Sequence, residues 1–139
     1  MISLMSSRIR AGEVPARYVH VLVDYRWSEG TVSYCEELFT NPANEVLLSV
    51  VSVWELSVKH SLGKLPLPNA VERFVVEQRE RHGIAVLPLD ERTVLHLHKL
   101  PALHRDPFDR MLICQAIEHH CVLLTPDPLI AQYPVRVKW

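Results

Sequence analysis

Short, continuously apolar segments alternate with amphipathic segments along this chain, and this alternation constrains the fold more than any other feature of the sequence. Continuously apolar segments are typical of strands buried on both faces, as in a parallel sheet covered by helices. The sequence predicts strands at residues 18–23, 45–51, 84–87, 121–125 and 135–137. It predicts helices at 32–39 and after Ser52, Asn69, Asp90 and Asp106. The pattern indicates an α/β domain with a mostly parallel central sheet.

Chain length and composition limit the domain organisation. With 139 residues we expect one domain at 17–139, preceded by a polar, poorly ordered leader at 1–16. The formal net charge is −1, so any contact with nucleic acid must use a local basic patch. No segment is apolar enough for a membrane span. Cys35, Cys114 and Cys121 lack CxxC spacing, which favours a reducing, cytoplasmic setting.

Two predicted helices begin with clear start signals. Ser52, with Glu55 three residues later, matches a capping box. Asp106 occupies an N-cap position before Pro107, and Asp109 follows in the first turn. The apolar spacing places Trp54 in the core rather than on the surface as a base-stacking platform. In the helix predicted after Asp90, the same spacing turns Val94, Leu95 and Leu97 inward.

Four acidic residues are expected at the edge of the sheet where its parallel strands end, which is where α/β sheets bind ligands. Asp24 ends the first strand, Glu55 follows the second, and Asp127 follows the fourth. Asp109 begins the helix before that strand. Each of them alone could be a capping or turn residue. Together they would repel one another unless a cation held them.

A carboxylate cluster of this kind is typical of a Mg²⁺ or Mn²⁺ site. Such ions polarise phosphoryl oxygens and activate water, so phosphodiester hydrolysis is the reaction class that fits. The sequence has no GxSxG, P-loop or GxGxxG motif to indicate another class. The run His119-His120-Cys121 lacks the partner ligands that a zinc site needs.

Several motifs, in order and with their spacing, resemble PIN-domain proteins of the VapC toxin type. They are SVVSVWELSVKH at 49–60, GKL at 63–65, HRDPFDRMLI at 104–113, LTPD at 124–127 and VRVKW at 135–139. The resemblance implies a three-layer α/β/α PIN-like domain. It also implies a Mg²⁺- or Mn²⁺-dependent ribonuclease, inhibited by a cognate VapB-type antitoxin and forming a homodimer.

The resemblance assigns site residues position by position. The metal-binding, catalytic quartet would be Asp24, Glu55, Asp109 and Asp127. Asp106 would cap the helix or support the quartet from outside. Apart from the resemblance, His104, Arg105 and Lys59 lie near these acids in the sequence, so they are expected either to contact RNA phosphate or to be solvent-exposed polar groups.

The first acidic position departs from the family pattern. Asp24 is followed by Tyr25 and Arg26, where the family has Thr-His. An alternative alignment puts Tyr18 in place of the acid, which would leave the quartet incomplete. The chain would then be a catalytically degenerate module that binds RNA or an antitoxin. A Mg²⁺-dependent phosphatase or DNA nuclease on a similar sheet is a third reading.

Overall fold

A parallel sheet with helices on both faces organises the chain. The computed structural model describes residues 17–20, 41–125 and 127–138. The strands are β1 (Arg17–His20), β2 (Glu45–Ser49), β3 (Ala85–Leu87), β4 (Val122–Leu124) and β5 (Arg136–Lys138). The helices are α1 (Val50–Ser61), α2 (Val71–His82), α3 (Glu91–His96) and α4 (Pro107–Glu118), with short 3₁₀ turns at Leu97–Lys99 and Ile130–Gln132. The strand order is β3-β2-β1-β4-β5, and the described pairings are all parallel.

The side chains of β2 alternate between two separate apolar clusters. Val46 and Leu48 belong to a cluster with Val75 of α2, whereas Leu47 belongs to a larger cluster with Leu112 of α4. Successive strand residues point to opposite faces of a sheet, so the two clusters lie on its two sides. The predicted three-layer α/β/α architecture is therefore confirmed.

Some predictions fall on residues that are not described. The leader at 1–16, the end of the first strand at 21–23 and the helix at 32–39 are among them, as are Asp24 and Cys35. The boundaries of the single domain therefore stay a prediction. The other two cysteines, Cys114 and Cys121, are buried free thiols, as expected.

The turn from β2 into α1 differs from the prediction. The strand ends at Ser49 and the helix begins at Val50, so Ser49, and not Ser52, is the N-cap. The Ser49 hydroxyl accepts a hydrogen bond from the N–H of Val51 at 3.0 Å and donates one to the Gln115 side chain of α4. The capping-box reading of Ser52 and Glu55 was wrong because two serines lie near the start of this helix, Ser49 just before it and Ser52 in its first turn. Glu55 is thus placed in the second turn, free of a capping role.

Other helix ends mostly follow their sequence signals. Asp90 caps α3 by accepting a hydrogen bond from the N–H of Thr93, and Gly83 ends α2 with a φ of 64°. The prediction for Asn69 was wrong: Ala70 is the N-cap of α2, and it makes no side-chain capping bond. The longest described helices have 12 residues. None in the described ranges is long and apolar enough to cross a bilayer.

Helix α3 presents a different face to the core from the one predicted. Thr93 is fully buried, whereas Val94 and Leu95 are 41% and 61% exposed. Leu97, in the following 3₁₀ turn, does pack against the larger cluster. A helix of six residues shows too little of its period for the apolar face to be identified from spacing.

The two serines at the start of α1 give a matched stability test. Ser49→Ala removes a cap and leaves the buried Oε1 of Gln115 without its hydrogen-bond donor, so the free energy of unfolding should fall by about 2–3 kcal/mol. The buried Ser52 hydroxyl has no hydrogen-bond partner among the described residues. Ser52→Ala should therefore change the unfolding free energy by less than about 0.5 kcal/mol, or raise it. Urea denaturation measures both, and equal losses for the two variants would contradict the assignment of the cap.

Candidate metal centre

The start of α4 places Asp109 in the site. As predicted, Asp106 is the N-cap and Pro107 the first helical residue. The Asp106 carboxylate accepts hydrogen bonds from the N–H groups of Phe108 at 2.8 Å and Asp109 at 3.4 Å. This capping fixes the first turn, and the side chain of Asp109 is buried within it.

His104 joins this helix start to the acid that follows β4. Its Nε2 lies 2.7 Å from Oδ2 of Asp127 and 3.2 Å from Oδ2 of Asp109. Its Nδ1 accepts a hydrogen bond from the N–H of Asp106 at 3.0 Å. Because a backbone N–H can only donate, Nδ1 must be the unprotonated nitrogen of a neutral ring, and Nε2 carries the proton. His104 is thus a hydrogen-bond donor to Asp127, and the carboxylate of Asp109 lies near the same nitrogen.

Tyr133 fixes the backbone on which His104 sits. Its hydroxyl accepts hydrogen bonds from the N–H groups of Leu103 at 3.1 Å and His104 at 2.7 Å. It donates one to the carbonyl of Pro101 at 2.9 Å. One buried phenol therefore holds the segment before α4 in place. Sequence reasoning missed Tyr133, since nothing in the local pattern links it to a segment about 30 residues earlier.

Asp127 is positioned by the end of β4. Its N–H donates to the Thr125 hydroxyl at 3.2 Å, and its Oδ1 accepts from the N–H of Leu129 at 2.9 Å. Partial burial would raise the pKa of the Asp127 carboxyl, but the hydrogen bonds from His104 and Leu129 outweigh it. The pKa of Asp127 therefore lies below its ordinary value, and the group is ionised at neutral pH.

Asp109 has the opposite electrostatic environment. Burial raises its pKa most, and the negative charges of Asp106, Glu55 and Asp127 raise it further, against a smaller opposing effect of His104. The pKa of Asp109 reaches about 6. A carboxyl with this pKa is held at neutral pH in a charged form that its surroundings disfavour, so a nearby cation would stabilise it.

Glu55 lies on α1 beside this group. Its carboxylate is almost fully buried, and its Oε1 lies 2.8 Å from the ammonium of Lys59, one helical turn later. Its Oε2 has no hydrogen-bond partner among the described residues. Burial opposes protonation of Lys59, but the hydrogen bond and charge of Glu55 dominate and raise the pKa of Lys59, with help from Asp106 and Asp109.

The structure brings some of the predicted residues together more tightly than others. Ligand atoms of His104, Asp109 and Asp127 all lie within 4.8 Å of one another. Glu55 stands outside that group but close enough for its charge to raise the pKa of Asp109. Asp24 lies outside the described residues, so its membership of the quartet stays a prediction.

The residues assigned to RNA contact occupy three different environments. His104 is buried against two carboxylates, Lys59 is paired with Glu55, and Arg105 is exposed beside them. Their contact with RNA stays a prediction. The expectation that Trp54 is a core residue was wrong, because its side chain is 58% exposed and meets the ring of Phe108 edge to face.

The donor set fits a hard divalent cation. Asp109 and Asp127 offer carboxylate oxygens within one small volume, and the unpartnered Oε2 of Glu55 lies nearby. Mg²⁺ and Mn²⁺ prefer such oxygens. The proton on Nε2 of His104 prevents that atom from acting as a ligand in this arrangement, so the histidine orients the carboxylates.

A comparison with known families identifies the class of protein. The family model of the PIN domain matches residues 20–135, which is most of the chain. The chain therefore belongs to the PIN domain family. The resemblance to VapC-type members is confirmed at the level of the family.

Individual relatives agree with this assignment. Ribonuclease VapC16 of Mycobacterium tuberculosis is 30% identical over 71 residues, which are 51% of this chain and 50% of the relative. The chain thus spans about half the length of the curated relative it matches. VapBC2 from Rickettsia felis, crystallised with a promoter DNA fragment, superposes with a TM-score of 0.66 at 13% identity. That match covers 88% of this chain and 97% of the other.

A second solved structure shares the fold. FitAcB from Neisseria gonorrhoeae superposes with a TM-score of 0.57 at 18% identity. The match covers 86% of this chain and 95% of that one. At these identities the two structures establish a common fold for the chains.

The raised pKa of Asp109 predicts a pH-dependent stability in protein free of divalent cations. Its carboxyl ionises near pH 4 when unfolded and near pH 6 when folded, so ionisation opposes folding as the pH rises through that window. Asp109→Asn removes this penalty. At pH 8 in EDTA its free energy of unfolding should exceed that of the wild type by about 1–3 kcal/mol, and the gap should shrink towards pH 4.

The exposed Glu80→Gln variant on α2 is the control, because it removes a carboxylate far from any buried charge. It should track the wild type at every pH. Urea titrations across the pH range measure all three proteins. A gap between Asp109→Asn and wild type that does not vary with pH would contradict the electrostatic origin.

Proposed function

We propose that this PIN domain hydrolyses RNA phosphodiester bonds with a bound divalent cation, Mg²⁺ or Mn²⁺. The observation that carries the proposal is the meeting of Asp109 and Asp127 around His104, beside the buried carboxylate of Glu55. Carboxylates are brought this close in proteins chiefly where a cation binds them. The similarity to a relative described as a ribonuclease supports RNA as the substrate.

The chain's own residues have distinct roles in this proposal. Asp109 and Asp127 hold the cation, with Glu55 and Asp24 completing the acidic set. His104 donates its Nε2 proton to the carboxylate of Asp127 and so fixes its orientation. When bound, the cation supplies an activated water and neutralises charge on the phosphoryl oxygens.

The remaining polar groups keep the site in register and attract its substrate. Asp106 caps α4 and thereby fixes Asp109. Arg105 is exposed and immediately precedes Asp106 in the chain, and in this proposal it offers its guanidinium to phosphate oxygens. Lys59 neutralises one oxygen of Glu55, which reduces the repulsion between the acids and the RNA backbone.

The partners in this proposal follow from the relatives. Two solved structures with the same fold are those of VapBC2 and FitAcB, and VapBC2 was crystallised bound to a fragment of promoter DNA. We accordingly propose a VapB-type antitoxin as the protein partner, a homodimer as the assembly and the cytoplasm as the location. The chain would then be the toxin component of a toxin–antitoxin pair.

Charge removal at the site tests the catalytic proposal. Asp109→Asn should lower divalent-dependent cleavage of single-stranded RNA at least about 100-fold, because it removes a ligand without changing side-chain size. Glu55→Gln should weaken Mn²⁺ binding, measured by calorimetry, at least about tenfold. EDTA should abolish cleavage by the wild type.

Glu80→Gln serves again as the control and should cleave RNA and bind Mn²⁺ like the wild type. Full cleavage by Asp109→Asn would refute the nuclease assignment. A wild-type chain that binds no Mn²⁺ would instead favour the degenerate module that binds RNA or antitoxin. A panel of RNA, single-stranded DNA and phosphomonoester substrates separates the remaining alternatives.

The sheet register gives a test of the first acidic position. Tyr18 pairs with Val46 and Val122, so it lies three residues before the level of Ser49, where β2 ends. At about 3.3 Å per residue this is roughly 10 Å from the carboxyl edge of the sheet. The register supports Asp24, further along the chain, as the first acid.

Asp24→Asn is therefore expected to weaken Mn²⁺ binding about tenfold or more and to lower cleavage about 100-fold, whereas Tyr18→Phe should leave both unchanged. Calorimetry and a cleavage assay measure the two effects. If Asp24→Asn is silent and Tyr18→Asp increases Mn²⁺ affinity, the alternative alignment is the correct one.

A further inference from the structure

One large aromatic side chain stands on the surface next to the acidic site. Trp54 on α1 is 58% exposed. It is the one aromatic residue among the exposed large apolar side chains of the described ranges, whose other members are leucines and valines. Exposing a tryptophan forfeits more apolar burial than exposing any of these, so its position needs a reason.

The exposed ring is held in a defined orientation. Its centroid lies 4.8 Å from that of Phe108, and the two rings meet at 79°. Phe108 is itself partly buried against the larger apolar cluster, so it provides a fixed support. An edge-to-face contact covers at most one face of the indole. At least one face of Trp54 is therefore free of Phe108, and more than half of the side chain is exposed.

Both rings belong to residues that are adjacent in the chain to acids of the site. Trp54 immediately precedes Glu55, and Phe108 immediately precedes Asp109, so the Cα atoms in each pair are about 3.8 Å apart. The Trp54–Phe108 contact joins α1 to α4, as does the electrostatic effect of Glu55 on Asp109. The aromatic pair and the acids thus lie along the same junction between the two helices.

We propose that Trp54 is a stacking platform for a base of single-stranded RNA, adjacent to the phosphate that the acidic site engages. The inference rests on the proposed function and adds to it a residue that positions the substrate. Aromatic side chains bind unpaired bases through their faces, and one stacked base contributes substantially to affinity. Arg105 and Lys59 provide positive charge for the backbone nearby, as such sites combine stacking with basic groups.

The geometry favours a base over a protein side chain as the occupant. A tryptophan that anchors a protein interface is usually surrounded by other apolar contacts that exclude water. Here Trp54 is followed in the chain by the buried carboxylate of Glu55, and its partner ring Phe108 is followed by the buried carboxylate of Asp109. Buried negative charge of this kind suits a ligand that carries phosphates, because a bound cation can bridge the phosphates and the acids.

Binding measurements on the full chain test the proposal. In an Asp109→Asn background, which blocks cleavage, Trp54→Ala should raise the Kd for a labelled, unstructured RNA oligonucleotide roughly 5- to 100-fold. Trp54→Phe should lose less, because it keeps an aromatic face. Leu62→Ala is the matched control, since Leu62 is 63% exposed at the other end of the same helix and should have no effect.

An abasic scan identifies the contact. Removing one base at a time from the oligonucleotide should weaken binding to the Trp54 protein at one position, and Trp54→Ala should be insensitive to that same removal. Non-additivity of the two changes is what a direct contact requires. If the losses add at every position, or if Trp54→Ala leaves Kd unchanged, the proposal is overturned.

Further readouts separate this proposal from a structural role and from the proposed function. In the cleaving chain, Trp54→Ala should raise KM with kcat and Mn²⁺ affinity unchanged. A wild type that cleaves RNA while Trp54→Ala matches it in KM would overturn only the stacking role. A wild type without Mn²⁺ binding or cleavage would overturn the proposed function.

The oligomeric state is a separate readout. Conversion of a dimer to a monomer by Trp54→Ala, with RNA affinity unchanged, would show a protein contact instead and also overturn the stacking role.

Discussion

The burial of negative charge at one junction of the fold is the constraint on which the rest of the site depends. Asp109 and Glu55 are almost fully buried, and Asp106 and Asp127 lie close enough to affect the same electrostatic balance. The hydrogen bonds of His104 and the ion pair of Lys59 offset part of the repulsion. The pKa of Asp109 still rises to about 6, so the compensation within the chain is incomplete. We propose that a bound cation supplies what the protein's own groups do not.

The scaffold makes this concentration of charge possible by fixing each acid through a different local device. A helix cap holds Asp109, a strand end holds Asp127, and the second turn of α1 holds Glu55. The buried bond between Ser49 and Gln115 ties the start of α1 to α4. A polar contact inside the core therefore fixes the two helices that carry the acids relative to each other. Apolar packing alone would specify their relative position less uniquely.

The sequence predicted the layers and the parallel strands, because these depend on local patterns with a known period. Of the four α-helix starts that the structure describes, it identified two, those capped by Asp90 and Asp106. Ser49 and Ser52 compete for the same role, and only the tertiary partner, Gln115, distinguishes them. Trp54 was misplaced because helical spacing identifies which residues share a face but does not reveal whether a neighbour covers it.

The sequence identified which residues belong to the site better than it identified what each of them does there. Nothing in the run His104-Arg105-Asp106 indicates that the ring of His104 turns inward to two carboxylates rather than outward to phosphate. That orientation depends on the N–H of Asp106 and on Tyr133, which is distant in the chain. Long-range hydrogen bonds of this kind carry no local sequence signal, so only the assembled structure distinguishes a positioning residue from a surface contact.

The most direct measurement of the central claim is a crystal structure of the protein grown with Mn²⁺, with data collected at the manganese absorption edge. The account predicts an anomalous peak within bonding distance of carboxylate oxygens of both Asp109 and Asp127, with His104 hydrogen-bonded to Asp127 and absent from the coordination sphere. A manganese ion found only away from these two carboxylates, or none at all at saturating Mn²⁺, would contradict it.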